Sequence, residues 1–154
     1  MSTDRLTDID IERILLELEV LPEYEDQISL QGVEGQKDHL YGTGFLHLIE
    51  HTEQDFTVPL FDMPYTNSIM EQLGMTRTRV MRMPEKSCYS YHKDQTKRIH
   101  IPLVTNDKCL FIIDDIVYRY PADGNYYVAD TTKLHTFVNG SWEDRIHIVG
   151  CIKE

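Results

Sequence analysis

The segment YSYHKDQTKRIHIPL, residues 89–103, places His92, Asp94, Arg98 and His100 close together in a run that otherwise reads as strand. Tyr89, Tyr91, Ile99, Ile101 and Leu103 supply the β-forming, alternating character. Two readings account for this. One is a solvated edge hairpin. The other is a metal site with an anion clamp beside it. Side chains two residues apart on a strand share a face, so the imidazole of His92 and the carboxylate of Asp94 can converge on one cation. Such a pair recurs by chance and needs a third ligand. His135, in ADTTKLHTFVNG, opens a later candidate strand and offers one. Two histidines and a carboxylate form the facial set that leaves open positions on Fe(II). A structural zinc site would draw on cysteine, and Cys88, Cys109 and Cys151 form no CxxC pair.

Open positions on ferrous iron call for a chelating co-substrate. If that is a 2-oxo acid with a distal carboxylate, a permanent cation must face it, and the planar fork of arginine suits a carboxylate. Arg145, in EDRIHIVGCI, is the candidate. In a strand it shares a face with His147, while Ile146 and Ile148 take the other. Arg98 and His100 repeat the arrangement opposite Ile99 and Ile101, so R-I-H-I occurs twice. The two strands are expected to present polar faces to one cavity, with exposed strands as the alternative. His147 is expected to be structural. Arg77, Arg79 and Arg82 in TRTRVMRM are expected on a solvated face, with one of them facing a substrate carboxylate as the alternative.

These residues need a scaffold. From Thr76 onward the hydrophobic period is two. Short strands alternate with turn signals such as Thr105-Asn106-Asp107, Asp114-Asp115, Ala122-Asp123-Gly124 and Asn139-Gly140. IIDDIV predicts a tight hairpin about Asp114-Asp115. Upstream, Ile11, Ile14, Leu15, Leu18 and Leu21 recur at helical spacing, with Thr7 or Asp8 as the cap and Pro22 as the stop. PYTNSIMEQLG predicts a second helix, capped by Thr66 or Asn67 and ended by Gly74. FLHLIEH reads equally as strand or short helix. The expected architecture is mainly β: a double-stranded β-helix (jelly-roll, cupin-like) over residues 76–152, with a helical N-terminal part, 1–75, packed on it in a single domain, 1–154.

Length and composition are those of a globular chain: 154 residues, 41% hydrophobic and 27% charged. The formal net charge of -11 excludes general nucleic-acid binding, which needs a basic footprint, and argues against an anionic membrane surface. No apolar run approaches the roughly 20 residues that cross a bilayer. The N-terminus carries Asp and Glu where a targeting segment would carry Arg or Lys, so the expected compartment is the cytoplasm, with reduced cysteines acting as small hydrophobes.

The ordered set YHKDQTKRIHIPLVTN, LHTFVNG and DRIHIV resembles the aspartyl/asparaginyl β-hydroxylase-like branch of the Fe(II)/2-oxoglutarate oxygenases, which includes free-proline hydroxylases. The resemblance covers roughly residues 76–150. It implies the double-stranded β-helix, with His92 and His135 as iron ligands and Arg145 holding the distal carboxylate of 2-oxoglutarate. Arg98 and His100 would assist the co-substrate. The aspartyl hydroxylases of the branch use two histidines and no carboxylate ligand, whereas the proline hydroxylases keep the acid. Asp94 is present here, so a full triad is expected. The implied activity is hydroxylation of an amino-acid residue in a protein or of a free amino acid. O2 is consumed and 2-oxoglutarate is decarboxylated to succinate. A non-catalytic cupin-like module that binds a metal or a small acid is the alternative.

Overall fold

The computed structural model describes residues 6–44 and 50–152. Most of FLHLIEH, including His47, lies outside the described residues. Eleven strands and two helices follow in chain order among the described residues: α1 (Ile11–Glu17), β1 (Gln27–Ser29), β2 (Gln31–Gly32), β3 (Val58–Pro59), α2 (Pro64–Gln72), β4 (Thr76–Met83), β5 (Ser87–Cys88), β6 (Lys97–Val104), β7 (Cys109–Ile113), β8 (Ile116–Tyr118), β9 (Tyr127–Ala129), β10 (His135–Asn139) and β11 (Arg145–Ile152). Two antiparallel sheets dominate, one of order β1-β4-β11-β6-β9 and one of order β5-β10-β7-β8. The fold is a mainly β jelly roll of the double-stranded β-helix kind. Among the described residues no helix is long and apolar enough to cross a membrane.

The alternation of the long strands decides what faces where. On the outer face of the five-stranded sheet, Ile28, Val80, Ile99, Ile101 and Ile148 pack with Ile14 of α1 and Ile69 and Met70 of α2 in one buried core. Each such side chain contributes about 1.5–3 kcal/mol when fully buried. Between the sheets, Met83, Phe111, Ile113, Ala129 and Phe137 form a second cluster. The inner face beyond that cluster is left to Arg79, Arg98, His100 and Arg145. Two irregularities shape it. β11 slips against β4 between Val149 and Cys151, where Arg77 takes a left-handed φ of 48°. β11 also slips against β6 between Ile146 and His147, opposite Pro102. Proline is tolerated inside this strand because the ladder is already interrupted there and β9 pairs only with residues 98–100.

Several expectations are met. Asp114 and Asp115, at φ 51° and 65°, form the two-residue turn between β7 and β8. Gly74, at φ 62°, ends α2. Others are corrected. The cap of α1 is Asp10, which accepts from Arg13 N, rather than Thr7 or Asp8. The left-handed φ of 56° at Asp8 turns the chain one step earlier, and Ile9 N pairs with Gly124 O. The second helix starts at Pro64 rather than after Thr66 or Asn67. Its free amides are met from a distance: the Glu17 carboxylate accepts from Tyr65 N, Thr66 N and Thr66 Oγ1. The region up to residue 75 is not only helical, since β1 extends the main sheet by pairing with β4.

Candidate metal centre

His92 and His135 are brought together by the backbone. Each donates its amide to the other's carbonyl at 3.0 Å, forming an isolated antiparallel bridge. In such a hydrogen-bonded pair the side chains stand side by side, and the two imidazole centroids are 4.4 Å apart. Asp94 follows two residues later, tied by Asp94 N to Thr131 O at 2.8 Å. Its Oδ1 lies 3.6 Å from His92 Nε2 and its Oδ2 lies 3.5 Å from His135 Nε2. Ligand atoms of all three residues fall within 4.8 Å of one another.

The tautomers suit a cation. His92 Nδ1 lies 2.8 Å from Ser90 O, and His135 Nδ1 lies 2.9 Å from Lys133 O. A carbonyl only accepts, so each Nδ1 carries the hydrogen and each Nε2 presents a lone pair. This backbone orientation of ligand imidazoles is typical of metal sites. His135 Nε2 is buried with no hydrogen-bond partner among the described residues. Burial pulls the His135 pKa below its ordinary value, which favours the neutral, ligating form. The donor set therefore fits a hard-to-borderline divalent cation held by two nitrogens and a carboxylate.

The three residues stand at one side of a cavity of about 640 Å³ that also takes in Arg79, Arg98, His100 and Arg145. Five of its lining residues are Arg or Lys and two are carboxylates, an inversion of the chain's overall acidity. Arg98 is 6% exposed and its guanidinium is largely committed. Nη1 and Nη2 reach Glu53 at 2.7 and 3.3 Å, and Nε faces Asp94 Oδ2 at 3.5 Å. Glu53 carries a charge despite its burial. Desolvation would raise its pKa, but the Arg98 charge and hydrogen bonds from Cys151, Thr96 and Arg98 outweigh it and hold the value low.

Arg145 is 3% exposed. Its guanidinium carbon sits 5.0 Å from the Phe137 ring centroid, and Nε is buried without a partner among the described residues. Burial brings its pKa down to about 10, so it stays charged at neutral pH. His100 and His147 are both buried and meet Nδ1 to Nδ1 at 3.0 Å. One must donate, and both Nε2 atoms are without partners among the described residues. His147 does not line the large cavity.

The structure thus gathers His92, Asp94, His135, Arg98, His100 and Arg145 around one space. It corrects the reading of Arg77 and Arg79, which are each 5% exposed instead of solvated. Arg77 donates to the carbonyls of Gly42 and Gly44. Only Arg82 keeps an outward position, over the Tyr24 ring and 3.9 Å from Asp144. Sequence reasoning missed Glu53, which sits in a single 3-10 turn (Glu53–Asp55) with no periodicity to mark it.

A sequence profile described as Aspartyl/Asparaginyl beta-hydroxylase matches residues 10–153. The chain belongs to that family. The match spans the helices and the N-terminal strands as well as the later motifs. Among solved structures, an oxidoreductase of the 2OG-Fe(II) oxygenase family from Burkholderia pseudomallei superposes with a TM-score of 0.56 at 16% identity, over 92% of this chain and 77% of that one. This likeness is one of fold. A cupin-superfamily protein from Desulfitobacterium hafniense gives a TM-score of 0.45 at 8% identity, covering 97% of this chain and 100% of that one. A cupin domain from Bordetella pertussis gives 0.43 at 16% identity, covering 51% and 81%. No curated protein matches the chain.

Proposed function

We propose that the protein is an Fe(II)- and 2-oxoglutarate-dependent dioxygenase that hydroxylates an amino-acid residue in a protein or a free amino acid. The observation that carries this reading is the convergence of two imidazole lone pairs and a carboxylate in one cavity with a buried arginine whose Nε has no partner among the described residues. His92, Asp94 and His135 would hold the iron. Bound there, iron would couple decarboxylation of 2-oxoglutarate to transfer of one oxygen atom from O2 into a C–H bond.

The chain's own residues do the remaining work. Arg145, pressed on Phe137 and with no acceptor for its Nε among the described residues, would take the distal carboxylate of 2-oxoglutarate, relieving the cost of its burial. His100 can add an Nε2 donor when its Nδ1 accepts from His147. Arg98 keeps Asp94 in place and adds positive charge to the same wall. Phe137, Met81 and Val149 supply the apolar part of the lining, beside which the charge interactions would be stronger than in open water. The protein is expected to act in the cytoplasm, on a substrate that enters past the exposed edge of His92.

Anaerobic titration with Fe(II) and 2-oxoglutarate tests the reading. A weak visible absorption band from the chelate, followed by succinate formation under air, is the expected result. Absence of both removes the proposal. Iron binding without succinate, across a broad set of amino acids and peptides, would favour a cupin-like binding module.

A further inference from the structure

The role just proposed employs Arg145 but leaves Arg79 without a function. Arg79 stands on the inner face of β4 opposite Val149, whereas Arg145 pairs with Met83, four residues along the same strand. At about 3.3 Å per residue the two rows lie roughly 13 Å apart. Arg79 is 5% exposed. Nη1 donates to the neutral amide oxygen of Gln27 at 3.0 Å, and Nε is buried without a partner among the described residues. The two carboxylates that line the cavity are engaged elsewhere: Glu53 with Arg98, Asp94 with the histidines. Burial, then the neighbouring charge of Arg77, brings the Arg79 pKa down to about 9, so it too remains charged at neutral pH.

A buried guanidinium whose only acceptor among the described residues is an amide is costly unless an anion arrives. The dicarboxylate co-substrate cannot supply it, since one of its ends is placed at the metal and the other at Arg145. We propose that Arg79, steadied by Gln27, is the carboxylate-binding residue for the primary substrate, and that this substrate is a small free carboxylic acid of the α-amino-acid class. This inference rests on the oxygenase reading for the distinction between substrate and co-substrate. Depth favours a free acid over a side chain of a protein. Arg79 is 5% exposed, on a strand flanked by β1 and β11, whereas His92 on the same cavity is exposed. The cavity's 640 Å³ suits two small molecules rather than a peptide backbone.

The test is direct binding, measured by calorimetry with the Mn(II)-loaded protein, with and without 2-oxoglutarate. The probes are the twenty free L-α-amino acids, each against its own carboxamide, and a peptide with a central aspartate. At least one acid is expected to bind, with its amide weaker by about tenfold or more, the loss of a charge-assisted hydrogen bond. Arg79→Gln should lose a similar factor for the acid while its 2-oxoglutarate affinity stays within about threefold. Arg79→Lys should fall between the two. Thermal melting verifies that each variant folds, and the acid–amide contrast on the wild type stands even if one does not. Equal binding of acid and amide, unchanged binding by Arg79→Gln, or no acid bound at all would overturn the inference. So would a 2-oxoglutarate loss in Arg79→Gln equal to that in Arg145→Gln, which would put Arg79 in the co-substrate's site. Binding of the aspartyl peptide alone would overturn the small-molecule assignment. A protein that binds an acid through Arg79 but takes up no 2-oxoglutarate would sink the oxygenase reading and leave the carboxylate site standing.

Discussion

Replacing Glu53 should damage both the fold and the metal centre, and the two effects can be separated. The Glu53 and Arg98 side chains are 5% and 7% exposed and meet through two contacts, at 2.7 and 3.3 Å. Glu53→Ala leaves a guanidinium buried against the cavity wall with its main counter-charge gone. Breaking such a pair from one side costs about 3–5 kcal/mol. At about 2–4 °C per kcal/mol for a chain of this size, the melting temperature should fall by roughly 6–20 °C. The pair itself is not the source of net stability, because desolvating two charges nearly cancels their attraction. The double variant Glu53→Leu/Arg98→Met should therefore return to within about 2 kcal/mol of wild type. The pH dependence follows from the low folded pKa of Glu53. A depressed carboxylate pKa adds stability that is present above the unfolded value, near 4.5, and is lost as pH falls through the folded one. The gap between wild type and Glu53→Gln should be widest above about pH 5.5 and close in acid. In the same variant Arg98, released from Glu53, can move fully onto Asp94, from which its Nε is now 3.5 Å away. Metal affinity should drop by about 10–100-fold, the usual effect of losing an outer partner. Urea melts from pH 3 to 7 and Mn(II) calorimetry would measure both. A Glu53→Ala cost below about 1 kcal/mol, or a wild-type to Glu53→Gln gap that does not change with pH, would refute the reasoning.

Three further outcomes are expected. His135→Ala should abolish Mn(II) binding in calorimetry and succinate production with it, and should lower the melting temperature, because a fully buried ring packed on Phe111 and Phe137 is lost. The buried His100–His147 pair, both with pKa values well below the ordinary 6.5, adds stability that is full above that pH and is lost as pH falls. The slope should reach up to about 1.4 kcal/mol per pH unit for each histidine between pH 6.5 and 5, and His147→Gln should remove one histidine's share in urea titrations. Gly150→Ala should destabilise by about 1–3 kcal/mol in thermal melts, since its Cβ would lie 2.6 Å from Met75 Cε and 3.1 Å from Thr78 Oγ1.

What could be seen in the sequence was what local periodicity encodes. Arg98, His100 and Arg145 alternate with isoleucines, and in the structure those isoleucines do turn to the helices while the polar set turns inward. His92 and Asp94 could be paired because two residues on an extended chain share a face. Their meeting with His135 followed from the family's motif order, and the structure supplies its cause in a backbone bridge that spacing cannot reveal. Glu53 and Gln27 stayed hidden because they come from short, aperiodic pieces whose positions are set by tertiary contacts alone. Arg79 was only half hidden, as one of three arginines that could face a substrate carboxylate but read more readily as solvated. In TRTRVMRM, Arg77 and Arg79 alternate with threonines and imitate a solvated face, and only Met81 and Met83, in phase with them, betray that this face is covered too. A strand with apolar residues on both faces is buried on both. On such a strand a phased arginine should be read as a cation awaiting an anion, which is how the cavity of this acidic protein comes to be lined with positive charge.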